Sequence, residues 1–222
     1  MAAEVQPRWI SDLPRKVLVL APHTDDAELG CGGTLNRLSE DGATPYIAAF
    51  STAEESRLPG TEPGALRKEC LASMTVLNIS EGHRRIFDFP VRRFSNHRQD
   101  ILEKMITLRQ EFDPDIVFIP TGSDLHQDHQ IIHAEAVRAF KDRAVWGYEL
   151  PWNQIDFKAQ AFVTLEQRHL AAKWRALQSY ESQIKLGRPY FTQEFIEGLA
   201  RVRGVQVKAE FAEAFEVIRF KW

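Results

Sequence analysis

Two apolar runs, each ending abruptly in histidine and carboxylate, restrict what this chain can become more than any other feature. Residues 17–33 read VLVLAPHTDDAELGCGG. Val17, Leu18, Val19 and Leu20 have the unbroken apolar character of a strand buried on both faces, and residues 28–38 then carry helical spacing. His23, Asp25 and Asp26 therefore fall on a strand-to-helix turn. In open α/β sheets the turns at the carboxyl ends of strands are where ligands bind. The second run is an apolar strand at 116–119 followed by DLHQDHQIIH at 124–133. The two turns are expected to face each other.

Further strands are expected at 45–51 and 84–89, and helices at 65–77, 96–112 and 129–140. Strand and helix thus alternate four times within about 125 residues, which predicts an α/β fold with a mainly parallel sheet flanked by helices. With the common order 3-2-1-4, the first and fourth strands are neighbours and both motif turns open into one crevice. Beyond residue 143 the pattern is mixed: short strands at 145–148 and 161–164, helices at 166–180 and 192–202, and strand-like alternation at 211–220. No linker interrupts it. A single domain over 1–222 is expected, with a core at 14–143 and the mixed region 144–222 packed on it.

The 222 residues carry a formal net charge of -3, so general attraction to nucleic acid or an anionic membrane is not indicated. Cys31 and Cys70 are the only cysteines, too few for a disulfide scaffold and not in a CxxC pair. Residues 1–16 lack a signal-like apolar segment, and no apolar run approaches the ~20 residues of a membrane helix. These features point to a cytoplasmic protein.

His23 and Asp26 are spaced as a local pair of metal ligands, and His129 completes the set from the other strand end. Two nitrogens, one carboxylate oxygen and a fourth position for water make up a catalytic zinc site. One Zn2+ per chain is expected, other divalent metals being compatible; zinc would lower the pKa of water to ~7 and polarise a carbonyl. Asp25, beside Asp26 but pointing elsewhere, is positioned to accept the water's proton. His126 reaches the same pocket, to stabilise an oxyanion or protonate a leaving amine, with Asp128 holding its tautomer. Amide hydrolysis fits this set best.

Blander readings compete. Asp and His at a helix start also cap orphan amides without any metal. The metal reading rests on two such motifs occurring together, each directly after an apolar strand. His133 reads as a packed or supporting histidine. Gly30, Gly32 and Gly33, in the order GCGG, do not make a dinucleotide fingerprint and suggest close helix-on-strand packing. Cys31 reads as core, as do Trp146 and Trp174. His83, His97 and His169 read as surface, and Trp152 as core or pocket wall.

His23-Thr24-Asp25-Asp26, with GCGG behind it and His126-Gln127-Asp128-His129 downstream, resembles the PIG-L (LmbE-like) family of zinc-dependent N-deacetylases. Segments 173–183, 203–204 and 212–215 are similar to the family's later stretches. The resemblance implies a Rossmann-like fold and removal of acetyl groups from substrates containing N-acetylglucosamine. It assigns His23, Asp26 and His129 as zinc ligands, Asp25 as base, and His126 as acid or oxyanion partner oriented by Asp128. Arg67, in RxxxC, looks similar to an arginine that family members use to hold the sugar. Thr24 and Gln127 stand where proline is usual, and Asp124 where some members carry a tyrosine.

The expected partner is a small N-acetyl amino sugar or its conjugate, with no nucleic acid and no membrane span, and with a homo-oligomer left open. Loops at 52–64 and 146–157 are expected to choose the substrate. Two alternatives stand beside this: deacylation of a different amide, or a non-catalytic metal- or carbohydrate-binding protein. A binding protein has no need for a base such as Asp25.

Overall fold

The two apolar runs become Lys16–Ala21 (β1) and Ile116–Pro120 (β4), which lie side by side in parallel, Val17 opposite Ile116 and Val19 opposite Phe118. Thr44–Ala49 (β2) and Arg84–Ile86 (β3) extend the sheet beyond β1, and Ala144–Tyr148 (β5) extends it beyond β4, all parallel. Phe211–Arg219 (β7) then pairs antiparallel with β5 on one side and with Ala161–Leu165 (β6) on the other. The sheet order is β3-β2-β1-β4-β5-β7-β6 in this computed structural model, which describes residues 13–57 and 59–221. The expected 3-2-1-4 arrangement and mainly parallel α/β fold are both present, and the mixed region contributes strands to the same sheet. The amino-terminal stretch read for the absence of a leader lies, through residue 12, outside the described residues.

Alternate residues of β1 feed two cores. Val17, Val19 and Ala21 pack beneath the helices Asp26–Glu40 (α1), Ala65–Val76 (α2), Gln167–Leu177 (α5) and Gln193–Gln206 (α7). Leu18 and Leu20 face Arg98–Phe112 (α3) and Gln127–Ala139 (α4). A four-residue helix, Glu181–Ile184 (α6), lies between α5 and α7. No helix among the described residues is long and apolar enough to cross a membrane.

Helix α1 is bent at Cys31, whose φ of -149° and ψ of 22° are not helical. A bend leaves backbone groups without helical partners, and distant side chains satisfy them here. The Leu29 carbonyl accepts from Lys173 Nζ at 2.7 Å. The Gly33 and Thr34 N–H groups donate to the Glu213 carboxylate at 3.1 and 2.7 Å, and Lys173 Nζ pairs with Glu213 at 2.7 Å. Gly30 permits the close packing read from GCGG: a Cβ there would stand 2.4 Å from Cδ2 of the buried Tyr148 ring.

His169 departs from the surface reading, being buried. Its Nδ1 accepts from the Glu166 N–H at 3.0 Å in a capping box that opens α5, and its Nε2 lies 3.1 Å from Glu40. Glu166, a charged neighbour in sequence, is its capping partner in space.

Candidate active site

The chain leaves β1 at Ala21 and enters α1 at Asp26, leaving Pro22, His23, Thr24 and Asp25 as the turn. Tyr180 OH and the Cys70 thiol both donate to the Thr24 carbonyl, so the turn holds its course without the proline usual there. From β4 the chain runs through Asp124 to His126, which caps α4. Because β1 and β4 are parallel neighbours, the two turns meet at one edge of the sheet.

There His23 Nδ1, Asp26 Oδ2 and His129 Nε2 form a nearly equilateral triangle with sides of 3.2, 3.3 and 3.2 Å. A tetrahedral ion with bonds of about 2.0–2.1 Å requires ligand-to-ligand separations of about 3.3 Å. The three atoms therefore fit one face of such a tetrahedron. His126 joins a looser trio with His23 and His129, whose ligand atoms lie within 4.8 Å of one another. The tighter set matches a small divalent ion better, and the His126 ring lies close by, its centroid 4.9 Å from that of His23 and 4.6 Å from that of His129.

Each histidine of the triangle is steadied by a carboxylate on its far nitrogen: His23 Nε2 lies 3.2 Å from Asp128 and His129 Nδ1 lies 2.7 Å from Asp124. This is how ligand histidines are usually oriented. The reading of the sequence noted Asp124 only as standing where some members carry a tyrosine and missed its contact with His129, although its position five residues earlier could have signalled it. Its other oxygen accepts the His126 N–H at 2.8 Å.

Asp128 requires a correction. Its carboxylate does not hold the ring of His126; it takes His23 and the N–H groups of Arg92 and Phe94 at 2.6 and 3.3 Å. The backbone N–H of Asp128 instead donates to His126 Nδ1 at 3.2 Å. The reason is helix geometry: as an N-cap, the His126 ring folds back over the first turn and meets a backbone donor. With Nδ1 accepting, the ring proton of neutral His126 sits on Nε2.

The charges reinforce one another. Burial would lower the pKa of His23, but the carboxylates of Asp128 and Asp26 outweigh it and raise the value to about 10. Burial raises Asp26, yet His129 and His23 bring it well below the usual carboxylate range. Asp25 is pushed up to about 6, by burial first and then by the negative charge of Asp26. His126 is lowered to about 4, by burial and then by His129 and His23. The carboxylates of the floor thus hold the proton of His23, while burial keeps Asp25 above and His126 below its ordinary range.

A cavity of about 330 Å3 opens over this floor. Its walls include Ser56 and Arg57 from the 52–64 loop and Trp152 and Asn153 from the 146–157 loop, as read from the sequence. A third wall, from Ser182 to Tyr190, was not foreseen. Tyr190 stacks on Trp152 with centroids 3.9 Å apart and planes at 9°. Arg67 does not line this cavity; it pairs with Asp88 at 2.6 Å and borders a separate depression with Leu71 and Arg84. His133, with Nδ1 2.9 Å from the Pro120 carbonyl, braces the end of β4.

A family model described as GlcNAc-PI de-N-acetylase, PIG-L, matches residues 18–140. The chain is 30% identical over 173 residues to a protein of Escherichia coli (strain K12) called uncharacterized deacetylase YaiS, spanning 75% of this chain and 90% of that one. The N,N'-diacetylchitobiose deacetylase of Pyrococcus horikoshii superposes with a TM-score of 0.76 at 19% identity, over 96% of this chain and 87% of that one. GalB, the 4-carboxy-2-hydroxymuconate hydratase of Pseudomonas putida KT2440, does so with a TM-score of 0.75 at 20% identity, over 94% and 98%. Those two likenesses concern the fold alone. With the family match spanning both motif turns, the chain belongs to the PIG-L family of deacetylases.

Proposed function

We propose that the protein is a zinc-dependent amide hydrolase that removes the N-acetyl group from an amino sugar of the N-acetylglucosamine type or its conjugate, acting in the cytoplasm. The observation that carries this reading is the triangle of His23, Asp26 and His129 with Asp25 and His126 lining the same cavity. A divalent ion held by the triangle would supply a Lewis acid for the amide carbonyl and the attacking water. Asp25 takes the proton from that water as its oxygen bonds to the carbonyl carbon, and returns it to the nitrogen as the C–N bond breaks. His126, neutral at physiological pH, donates its Nε2–H to the oxygen that gains negative charge. Asp128 and Asp124 keep the two histidines of the triangle oriented. Trp152 and Tyr190 give the cavity a flat apolar wall suited to a sugar face.

Arg67 would bear on the sugar only indirectly, through its contact with Asp88, which accepts from Thr52 at 2.9 Å. The test is acetate release by zinc-loaded protein from free N-acetylglucosamine, its glycosides, sugar nucleotides and short oligomers. Release that a chelator abolishes is the expected result. No release from any of them at full zinc occupancy would overturn the reading in favour of another acyl group or a binding role.

A further inference from the structure

Two buried donors converge on one backbone oxygen of the β1–α1 turn, and no step of the proposed chemistry uses either. The Thr24 carbonyl accepts from Tyr180 OH, and from the Cys70 thiol at 3.5 Å. Both side chains are fully buried. That carbonyl belongs to the peptide joining Thr24 to Asp25, the last piece of backbone before the proposed base.

Asp25 depends on this peptide more than its neighbours do. It stands at the N-cap of α1, but its carboxylate makes no capping hydrogen bond, so its orientation follows from the backbone that carries it. Behind it, its own carbonyl is fixed by the Leu29 N–H at 3.0 Å. In front of it stands the peptide held by Tyr180 and Cys70. His23 has separate ties, its Nε2 lying 3.2 Å from Asp128 and its N–H donating to Asp26 at 2.8 Å.

The anchor is itself secured. The Tyr180 carbonyl accepts the Gln183 and Ile184 N–H groups at 3.0 Å each, at the start of α6. Ser182 is fastened to α2, where Glu69 accepts from its N–H and hydroxyl at 2.9 and 2.6 Å. The Tyr180 hydroxyl also lies 3.1 Å from Glu28 Oε1, which takes the Ser73 hydroxyl at 2.5 Å. Thus α1, α2 and the wall segment are tied around one peptide.

We propose that Tyr180 is a positioning residue for Asp25: its hydroxyl, supported by the Cys70 thiol, fixes the Thr24–Asp25 peptide and so aims the carboxylate. The proposal rests on Asp25 acting as the base. A misplacement of about 1 Å costs about a hundredfold in rate.

Tyr180→Phe keeps the ring in its slot and removes only the hydroxyl. On the fastest of the N-acetylglucosamine derivatives named above, kcat should fall by about 10–100-fold, while KM and zinc affinity, measured against a competing chelator, stay within about twofold. Cys70→Ala, which removes the other donor, should show the same pattern with a smaller loss. The decisive comparison is Asp25→Asn with Asp25→Asn/Tyr180→Phe. A hydroxyl that acts through Asp25 then has nothing to position, so residual turnover should be equal in the two. An undiminished kcat in Tyr180→Phe, or the same fold-loss in both backgrounds, would overturn the proposal.

Crystal structures of the zinc-loaded wild type and Tyr180→Phe read the geometry without turnover. The Asp25 carboxylate should shift by about 1 Å or divide between rotamers while His23, Asp26 and His129 stay in place. An unmoved Asp25 would overturn the proposal. No hydrolysis by the wild type together with a displaced Asp25 removes the amide chemistry and keeps the positioning role; hydrolysis with an unmoved Asp25 does the reverse.

Discussion

Glu213 and Lys173 offer the sharpest test of how the helix that follows the His23 turn is supported, because the two partners of this buried pair carry unequal loads. Glu213 is 7% exposed and Lys173 4%. Glu213→Ala strands the ammonium and also orphans the Gly33 and Thr34 N–H groups. Lys173→Met orphans the Leu29 carbonyl but leaves the carboxylate held by two N–H donors at the start of the second piece of α1. Breaking a buried pair costs about 3–5 kcal/mol when the remaining charge has no compensation. An orphaned buried carbonyl costs about 1–3 kcal/mol, and a carboxylate at a helix start keeps favourable electrostatics. Glu213→Ala should therefore be the worse substitution by about 2 kcal/mol. Urea unfolding followed by circular dichroism would read this: at a slope of about 2 kcal/mol per molar, Glu213→Ala should lower the midpoint by about 2 M and Lys173→Met by about 1 M. Equal losses, or a larger one for Lys173→Met, would refute the claim that Glu213 caps the bent helix.

Asp25→Asn should retain bound metal and lose most turnover, as read by metal analysis beside a rate assay; undiminished turnover would remove Asp25 from the role of base. His129→Ala should lose the metal, whereas Asp124→Ala should weaken its binding by about 10–100-fold, measured against a competing chelator. Because His23 has its pKa raised to about 10, it carries a proton at pH 7.5 that a metal on Nδ1 must displace. Calorimetric titration of the metal in buffers of different ionisation enthalpy should then show about one proton released, and none would argue that His23 is neutral before the metal binds. Gly30→Ala would drive a methyl into the Tyr148 ring, which is fully buried and cannot swing aside, and should cost about 1–3 kcal/mol in thermal unfolding.

What was legible in the sequence was local. An apolar run followed by His-x-Asp-Asp announces a strand, its carboxyl end and a polar turn, and two such runs in an α/β pattern place the turns side by side. The triangle of His23, Asp26 and His129 follows from that topology. What escaped depended on where a side chain turns in space. Asp128 sits beside His129 in sequence, yet the first turn of α4 aims its carboxylate at His23 and its N–H at His126. The bend at Cys31 is invisible locally because the groups that satisfy it come from α5 and β7. The wall from Ser182 to Tyr190 has no periodic pattern, and only the ties to Glu69 and Trp152 reveal its place.

The pairing of Thr34 with Glu213 also bears on biosynthesis. The two positions are 179 residues apart, and five of the seven strands of the sheet lie between them in the chain. All three members of the triangle are synthesised by residue 129, but the bent helix that carries one of them lacks its cap until β7 has left the ribosome. Chain synthesis at about 5–20 residues per second puts several seconds between the two events. During that interval the nascent amino-terminal part should be a poor metal trap and a good protease substrate. Full support of the triangle then becomes a late step, coupled to insertion of β7 between β5 and β6.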